Sequence, residues 1–125
     1  MIKKGTFLNV VDNSGAKIAQ CIHIYGGYQK KYAKIGDFVL ITVKSVKKKK
    51  SEDLKIKKGE ISKALVVCSK TKGLLNNNFF FFENAVILMT NQNKYVGSRI
   101  FVPLSLSFRY TKFLKAVAMS SGIIE

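Results

Sequence analysis

The chain has 125 residues, of which 47% are hydrophobic, so it is long and apolar enough for one folded domain and is not a disordered chain. Its 22 lysines and arginines outnumber 7 acids and give a formal net charge of +15, which predicts a polyanionic partner, either nucleic acid or an anionic membrane surface. No apolar run approaches the roughly 20 residues that span a bilayer, and the basic start lacks the apolar stretch of a signal peptide.

The first predicted elements are two β-rich runs, residues 6–11 and 17–24, on either side of the turn sequence DNSG at 12–15. Aspartate and asparagine side chains accept hydrogen bonds from nearby backbone N–H groups, and Gly15 tolerates a positive φ. The pattern predicts a hairpin or tight corner with the cation of Lys17 beside it. Both alternating sets of the second run are largely apolar, which favours a strand covered on both faces.

The middle of the chain predicts two longer strands joined by a basic segment. After the glycine pair at 26–27 comes a short basic loop, and then strands are predicted at 38–46 and 61–68, where β-branched and apolar residues dominate. Between these strands the four-lysine run 47–50 predicts a long basic hairpin or an extended loop.

The last third predicts shorter elements. A short aromatic strand is expected at 79–82, a buried strand at 85–90 and a last strand at 97–102, which Pro103 ends because proline cannot donate to a ladder. Helical spacing of apolar residues then predicts a short helix near 110–119. Many short strands separated by turn signals indicate a mainly β fold, a small closed barrel.

Catalytic chemistry has no support in this sequence. His23 lies alone in an apolar strand and is expected to be a core or rim residue, and no cysteine or histidine has metal-ligand spacing to another. Cys21 and Cys68 lie in apolar runs and are expected to be buried, reduced thiols. We therefore predict that the protein is not an enzyme and holds neither a metal nor a cofactor.

The basic clusters carry the informative chemistry, because lysines neutralise phosphates and release counterions, and tyrosines stack on bases or ribose. The predicted RNA-binding residues are Lys17, Lys30, Lys31, Tyr32, Lys44, Lys47, Lys48, Lys49, Lys50, Lys57, Lys58, Lys70 and Lys72. Tyr28 and Tyr110 are further stacking candidates. Two plainer interpretations stay open: the run 47–50 as a solvated hairpin tip, and the phenylalanines at 79–82 as core and edge packing.

Several motifs occur in an order that resembles one family. The most specific are LNVVDNSGAK at 8–17 and GSRIFVP at 97–103, with shorter matches such as KKG at 57–59 between them. In these the chain resembles the universal large-subunit ribosomal protein 14 family, bacterial type, over nearly its whole length. A free-standing single-strand nucleic-acid-binding barrel is the alternative, although it has no reason to carry both motifs. A membrane-surface protein would need a longer basic amphipathic helix.

The resemblance implies a single domain, 1–125, with a five-stranded β-barrel over about 1–103 and a projecting β-ribbon, followed by a helical part over about 104–125. It implies a structural, non-catalytic component that binds large-subunit ribosomal RNA at the face meeting the small subunit, and that reaches small-subunit RNA to form intersubunit bridges. A neighbouring large-subunit protein is expected to add to its sheet. A ribosomal silencing factor is expected on a surface that corresponds to Ser98, Arg99 and Lys115.

Three departures from the family are visible. The segment 47–53 is longer than in the family, lacks the family's proline and carries the lysine run. The loop 74–78 is short and lacks an Asp-Gly turn. Many arginines of the family are lysines here. The last change replaces bidentate phosphate contacts by point charges. Lys, Asn, Ile and Phe have A/T-rich codons, and we expect no presequence. Together these features favour an organelle-encoded protein, in the mitochondrion ahead of the plastid, with a bacterial cytoplasm as the alternative.

Overall fold

Five strands form a closed barrel, β1 (Phe7–Val10), β2 (Ala16–Ile24), β3 (Phe38–Val46), β4 (Ile61–Cys68) and β5 (Ala85–Met89). The structure is a computed structural model and describes residues 2–27, 30–47, 56–69, 84–105, 114–120 and 123–124. Beyond the barrel, β6 (Leu104–Ser105) and β7 (Ile123–Ile124) pair in parallel, and α1 (Leu114–Met119) is a short helix between them. The prediction of a mainly β, five-stranded barrel is confirmed.

The barrel closes through a parallel pair. Consecutive strands are antiparallel, and five strands of alternating direction leave the first and the last pointing the same way. The β1–β5 seam is short, with Asn9 opposite Ala85 and Val10 opposite Val86. The Val11 N–H continues it by donating to the Val86 carbonyl over 3.1 Å. Closure leaves none of the five strands with an unpaired edge.

Alternation along the strands fills the barrel interior. Leu8 of β1, Val39, Ile41 and Val43 of β3, and Leu88 of β5 all belong to one buried cluster. Small side chains on β2 and β4 complete it, because five strands enclose a narrow space. Cys21 is among them, and Cys68 is also buried; neither is in a disulfide, as predicted.

A second buried cluster lies on the outside of β4 and β5. Leu65, Ile87 and Met89 pack there with Ile100 and Ala116 from the C-terminal part. These two strands are therefore apolar on both faces. We expected double-sided cover for β2, and that expectation was wrong: Ile22 is 39% exposed, because alternation from the buried Cys21 places it on the outer face. The register shift between Cys21 and His23 leaves His23 exposed as well and returns Ile24 to the core.

The predicted last strand, 97–102, was wrong as well. In this segment only Ile100 makes a β-bridge, to Asp12, and the chain otherwise forms bends; the strand pairing begins after Pro103. The predicted helix is confirmed within the described residues as α1. The aromatic strand at 79–82 and the tip of the basic ribbon, residues 48–55, lie outside the described residues.

The turn between β1 and β2 has the predicted chemistry. The Asp12 carboxylate accepts a hydrogen bond from the Ser14 N–H over 3.1 Å, and Gly15 has φ of 105°, a region that side-chain-bearing residues rarely adopt. Gly15 is itself buried. The corner therefore depends on a residue without a Cβ.

Replacing Gly15 by valine should lower the free energy of unfolding by about 1–3 kcal/mol, since a β-branched residue is strained at positive φ. Urea unfolding monitored by circular dichroism measures the change. Gly15→Asn is the matched control and should cost less, because asparagine enters positive φ more readily. Equal stability of the valine variant and the wild type would contradict the role of the backbone conformation.

Candidate nucleic-acid interface

The buried carboxylate of Asp12 joins the first turn to the last barrel strand. One oxygen accepts hydrogen bonds from the N–H and the hydroxyl of Ser14, and the other accepts from the Leu88 N–H over 2.9 Å. Asp12 is 2% exposed, so these three donors replace its lost hydration. The turn is therefore fixed to β5, and whatever the turn carries is held rigidly.

Asn13, the next residue, fixes the segment that contains the predicted factor surface. Its side-chain oxygen accepts hydrogen bonds from the Ser98 N–H at 2.6 Å and the Arg99 N–H at 3.1 Å. Its amide nitrogen donates to the Ser98 hydroxyl, and its own N–H donates to the Arg99 carbonyl. These bonds take the donors that a strand partner would have used, which is why residues 97–102 are not a strand.

Gly97 allows this close approach. A Cβ at position 97 would lie 2.6 Å from the Asn13 side-chain oxygen and 3.2 Å from the Asp12 Cβ, both closer than ordinary contacts. The glycine of the GSRIFVP motif is therefore explained by packing against the turn rather than by its own conformation.

The same segment is tied to the C-terminal helix. The Ile100 N–H donates to the Met119 carbonyl over 3.0 Å, and Tyr95 hydrogen-bonds the backbone of Ala116. Burial raises the pKa of the Tyr95 hydroxyl despite that bond, which keeps it neutral. Arg99 and Lys115 are both exposed, on segments that these bonds join, and Ser98 is exposed beside Arg99.

A basic depression lies next to the turn, at a place we call the Gly15 corner, which is formed by Lys17, Ser45, Lys47 and Phe101. Lys17 and Lys47 line an open depression of about 480 Å³ together with Ser45 and Val46. The Lys47 ammonium also lies 4.7 Å from the ring centroid of Phe101, and that ring is 54% exposed. Two predicted RNA-binding lysines thus share one site, with an aromatic residue that sequence reasoning did not single out.

The basic loop after β2 contains lysines in different situations. Lys30 is half-buried and its ammonium pairs with the Asp37 carboxylate over 2.8 Å, whereas Lys31 is exposed. Tyr32 is 38% exposed, and Lys3 lies 5.3 Å from its ring centroid. Among the described residues, an acid therefore pairs with Lys30 and none pairs with the neighbouring Lys31.

The remaining predicted residues lie apart from these clusters or outside the described chain. Lys44 is exposed on β3, and Lys57 and Lys58 are exposed in the turn before β4. The predicted residues outside the described ranges are Tyr28, Lys48, Lys49, Lys50, Lys70, Lys72 and Tyr110.

Lys63 is a further cation that the sequence did not single out. Its ammonium lies 4.1 Å from the Phe38 ring centroid and 5.6 Å from that of Tyr25, and it donates to the Asn93 side-chain oxygen over 2.5 Å. These partners come from β3, the end of β2 and the turn after β5, so only the barrel geometry brings them together.

The described residues hold no candidate metal centre. No three histidine, cysteine or acidic side chains in this part of the chain cluster as a metal site would require, and no helix in it is long and apolar enough to cross a membrane. Burial raises the pKa of the Cys21 thiol, so it stays protonated rather than nucleophilic.

The chain matches a model of a known protein family. A family model described as Ribosomal protein L14p/L23e matches residues 1–124, which is nearly the whole chain. The match includes the turn, the Ser98 and Arg99 segment and the C-terminal helix described above.

Replacing Asn13 by alanine should release Ser98 and Arg99 while leaving the barrel closed. Amide hydrogen exchange followed by NMR should show faster exchange at Ser98 and Arg99 and unchanged protection at Leu88, whose N–H is held by Asp12. Ser98→Ala is the matched control, since it removes the hydroxyl contact and keeps both N–H bonds to Asn13. Unchanged exchange at Ser98 and Arg99 in the Asn13 variant would show that another contact positions them.

Proposed function

Because the chain belongs to the ribosomal protein L14p/L23e family, whose members are structural and non-enzymatic constituents of the large ribosomal subunit, we propose that it binds large-subunit ribosomal RNA where that subunit meets the small one. It contributes there to intersubunit bridges with small-subunit RNA.

The observation that carries this proposal is uncompensated positive charge on a rigid body. Within the described ranges, Lys30 with Asp37 is the one lysine–acid pair, in a chain with a net charge of +15. Lys17 and Lys44 are exposed on strands of the closed barrel, and Lys31 is exposed in the loop between β2 and β3. Cations held on a fixed surface bind phosphates with little further loss of conformational freedom.

The Asn13-anchored segment supports an intersubunit or factor surface. Ser98 and Arg99 are exposed on backbone that four hydrogen bonds to Asn13 define, and the Ile100–Met119 bond joins this segment to the helix that carries Lys115. The guanidinium of Arg99 is suited to bidentate contact with a phosphate or a carboxylate. A ribosomal silencing factor is the protein partner that this surface would take.

Two further assignments belong to the proposal. A neighbouring large-subunit protein adds a strand at the small β6–β7 sheet, because a two-stranded sheet presents backbone groups along its outer edges. The ribosome is that of a mitochondrion, as the excess of lysine over arginine and the A/T-rich codon bias favour, with a plastid or a bacterial cytoplasm as the alternative location.

Sedimentation of an organellar lysate through a sucrose gradient tests the assignment. The chain should travel with large subunits and whole ribosomes of the mitochondrial fraction, as detected by mass spectrometry. Recovery at the top of the gradient, in RNase-sensitive complexes of small size, would instead support a free-standing single-strand nucleic-acid-binding barrel.

Lys31→Ala should weaken binding to transcribed large-subunit RNA and reduce the slope of log K against log salt by about 0.9 per lost phosphate contact, taking the duplex DNA value as a guide. Lys30→Ala is the matched variant and should change the slope less, because Asp37 already offsets its charge. An unchanged slope for Lys31→Ala would place this lysine in solvent in the complex.

Arg99→Glu should leave the barrel folded and the protein incorporated into large subunits, yet reduce subunit joining or docking of the silencing factor, because it reverses an exposed charge. Gradient profiles at joining concentrations of magnesium measure the ratio of whole ribosomes to free subunits. Lys94→Glu, the same charge reversal in the turn after β5, is the control. Absence of the Arg99 variant from large subunits would show that the residue is structural.

A further inference from the structure

The Gly15 corner is built on fixed backbone. The Lys47 N–H donates to the Gly15 carbonyl over 2.8 Å, and the Phe101 N–H donates to the Val11 carbonyl over 2.8 Å. The backbone of Lys47 and the backbone of Phe101 are therefore both attached to the turn at residues 11–15. A site whose side chains start from positioned backbone loses little freedom when it binds.

The charges of the corner point outward and are not neutralised within the described chain. Lys17 lies where the β2–β3 register shifts between Ala16 and Ile18, and such a bulge turns a side chain away from the regular pleat. Asp12, the acid of the adjoining turn, is buried and accepts three internal hydrogen bonds. The residues that line the depression include Lys17, Ser45 and Lys47, whose side chains carry two ammonium groups and a hydroxyl, the kinds of donor that bind a phosphate.

The aromatic ring beside the depression supplies a second kind of contact. Phe101 is more than half exposed although the Lys47 ammonium lies over it at 4.7 Å. A base stacked on the exposed part of this ring adds apolar contact, and the cation that faces the ring is the same one that lines the depression.

We infer that the Gly15 corner binds one nucleotide of single-stranded RNA, with its phosphate between Lys17 and Lys47 and its base against Phe101. A paired base could not reach the ring, so the target is a loop, a bulge or a splayed nucleotide rather than a helix. This inference rests on the proposed function and specifies one of its RNA contacts.

The test compares two probes that share phosphates and differ in bases, a short oligouridylate and the abasic oligonucleotide of equal length. Phe101→Leu in the full chain should raise the Kd for oligouridylate by about five-fold or more and leave the Kd for the abasic probe unchanged. Lys17→Gln should weaken both probes alike and lower the salt slope by about 0.7 per phosphate contact. Fluorescence anisotropy measures both, and thermal unfolding verifies that each variant is folded.

Phe7→Leu and Lys34→Gln are the matched controls. Phe7 is an exposed phenylalanine on β1, and Lys34 is an exposed lysine outside the corner. Both variants should bind the two probes as the wild type does. Equal losses of Phe101→Leu on both probes, or a loss no larger than that of Phe7→Leu, would overturn the inference. It is also overturned if Phe101→Leu binds both probes normally and instead weakens contact with a large-subunit protein, which would make the corner a protein-docking surface.

The two proposals fail in different ways. If the wild-type chain is missing from large subunits in the gradient, the proposed function is wrong. If the chain is present there and Phe101→Leu binds oligouridylate normally, only the nucleotide site is wrong. Photocrosslinking of intact large subunits should also place a nucleotide on the peptide that contains Phe101.

Discussion

A single buried carboxylate determines how the parts of this protein meet. The β1–β5 seam has few backbone hydrogen bonds. Beyond Val11, the Leu88 N–H donates its hydrogen bond to the Asp12 carboxylate instead of to a backbone carbonyl. Removal of that acceptor would leave buried donors unpaired, at a cost of about 1–3 kcal/mol for each. Asn13 and Gly15 lie in the same turn as Asp12. The Asn13 side chain accepts a hydrogen bond from the Arg99 N–H, and the Gly15 carbonyl accepts one from the Lys47 N–H, so the turn positions both segments.

Three lysines of the described chain lie over aromatic rings. With 22 basic residues and 7 acids, most cations have no acid to pair with, and Lys3, Lys47 and Lys63 lie over aromatic rings instead. A ring holds an ammonium group in place without cancelling its charge, whereas the carboxylate of Asp37 removes much of the long-range field of Lys30. The first arrangement therefore leaves the positive charge available at the surface.

Local signals predicted the strands and the first turn well. The ranges 38–46 and 61–68 were predicted to the residue, since alternation and bounding glycines lie within the strands' own sequence. The range 97–102 also looks like a strand, but its donors bond to Asn13, 85 and 86 residues away along the chain. The pairing of Lys30 with Asp37 and the contact of Lys47 with Phe101 were likewise invisible, because both depend on how distant segments cross.

The parallel seam also sets an order of folding. Each antiparallel pair joins neighbouring strands, whereas the seam joins residues 76 positions apart, so its loop-closure entropy is lost only after the intervening strands exist. Before β5 has left the exit tunnel the barrel cannot close, so any sheet that β1 to β4 have formed by then has unprotected outer edges at β1 and β4. An emerging chain with two open strand edges is prone to pair wrongly with other chains, so its exposure to aggregation ends only when β5 closes the barrel.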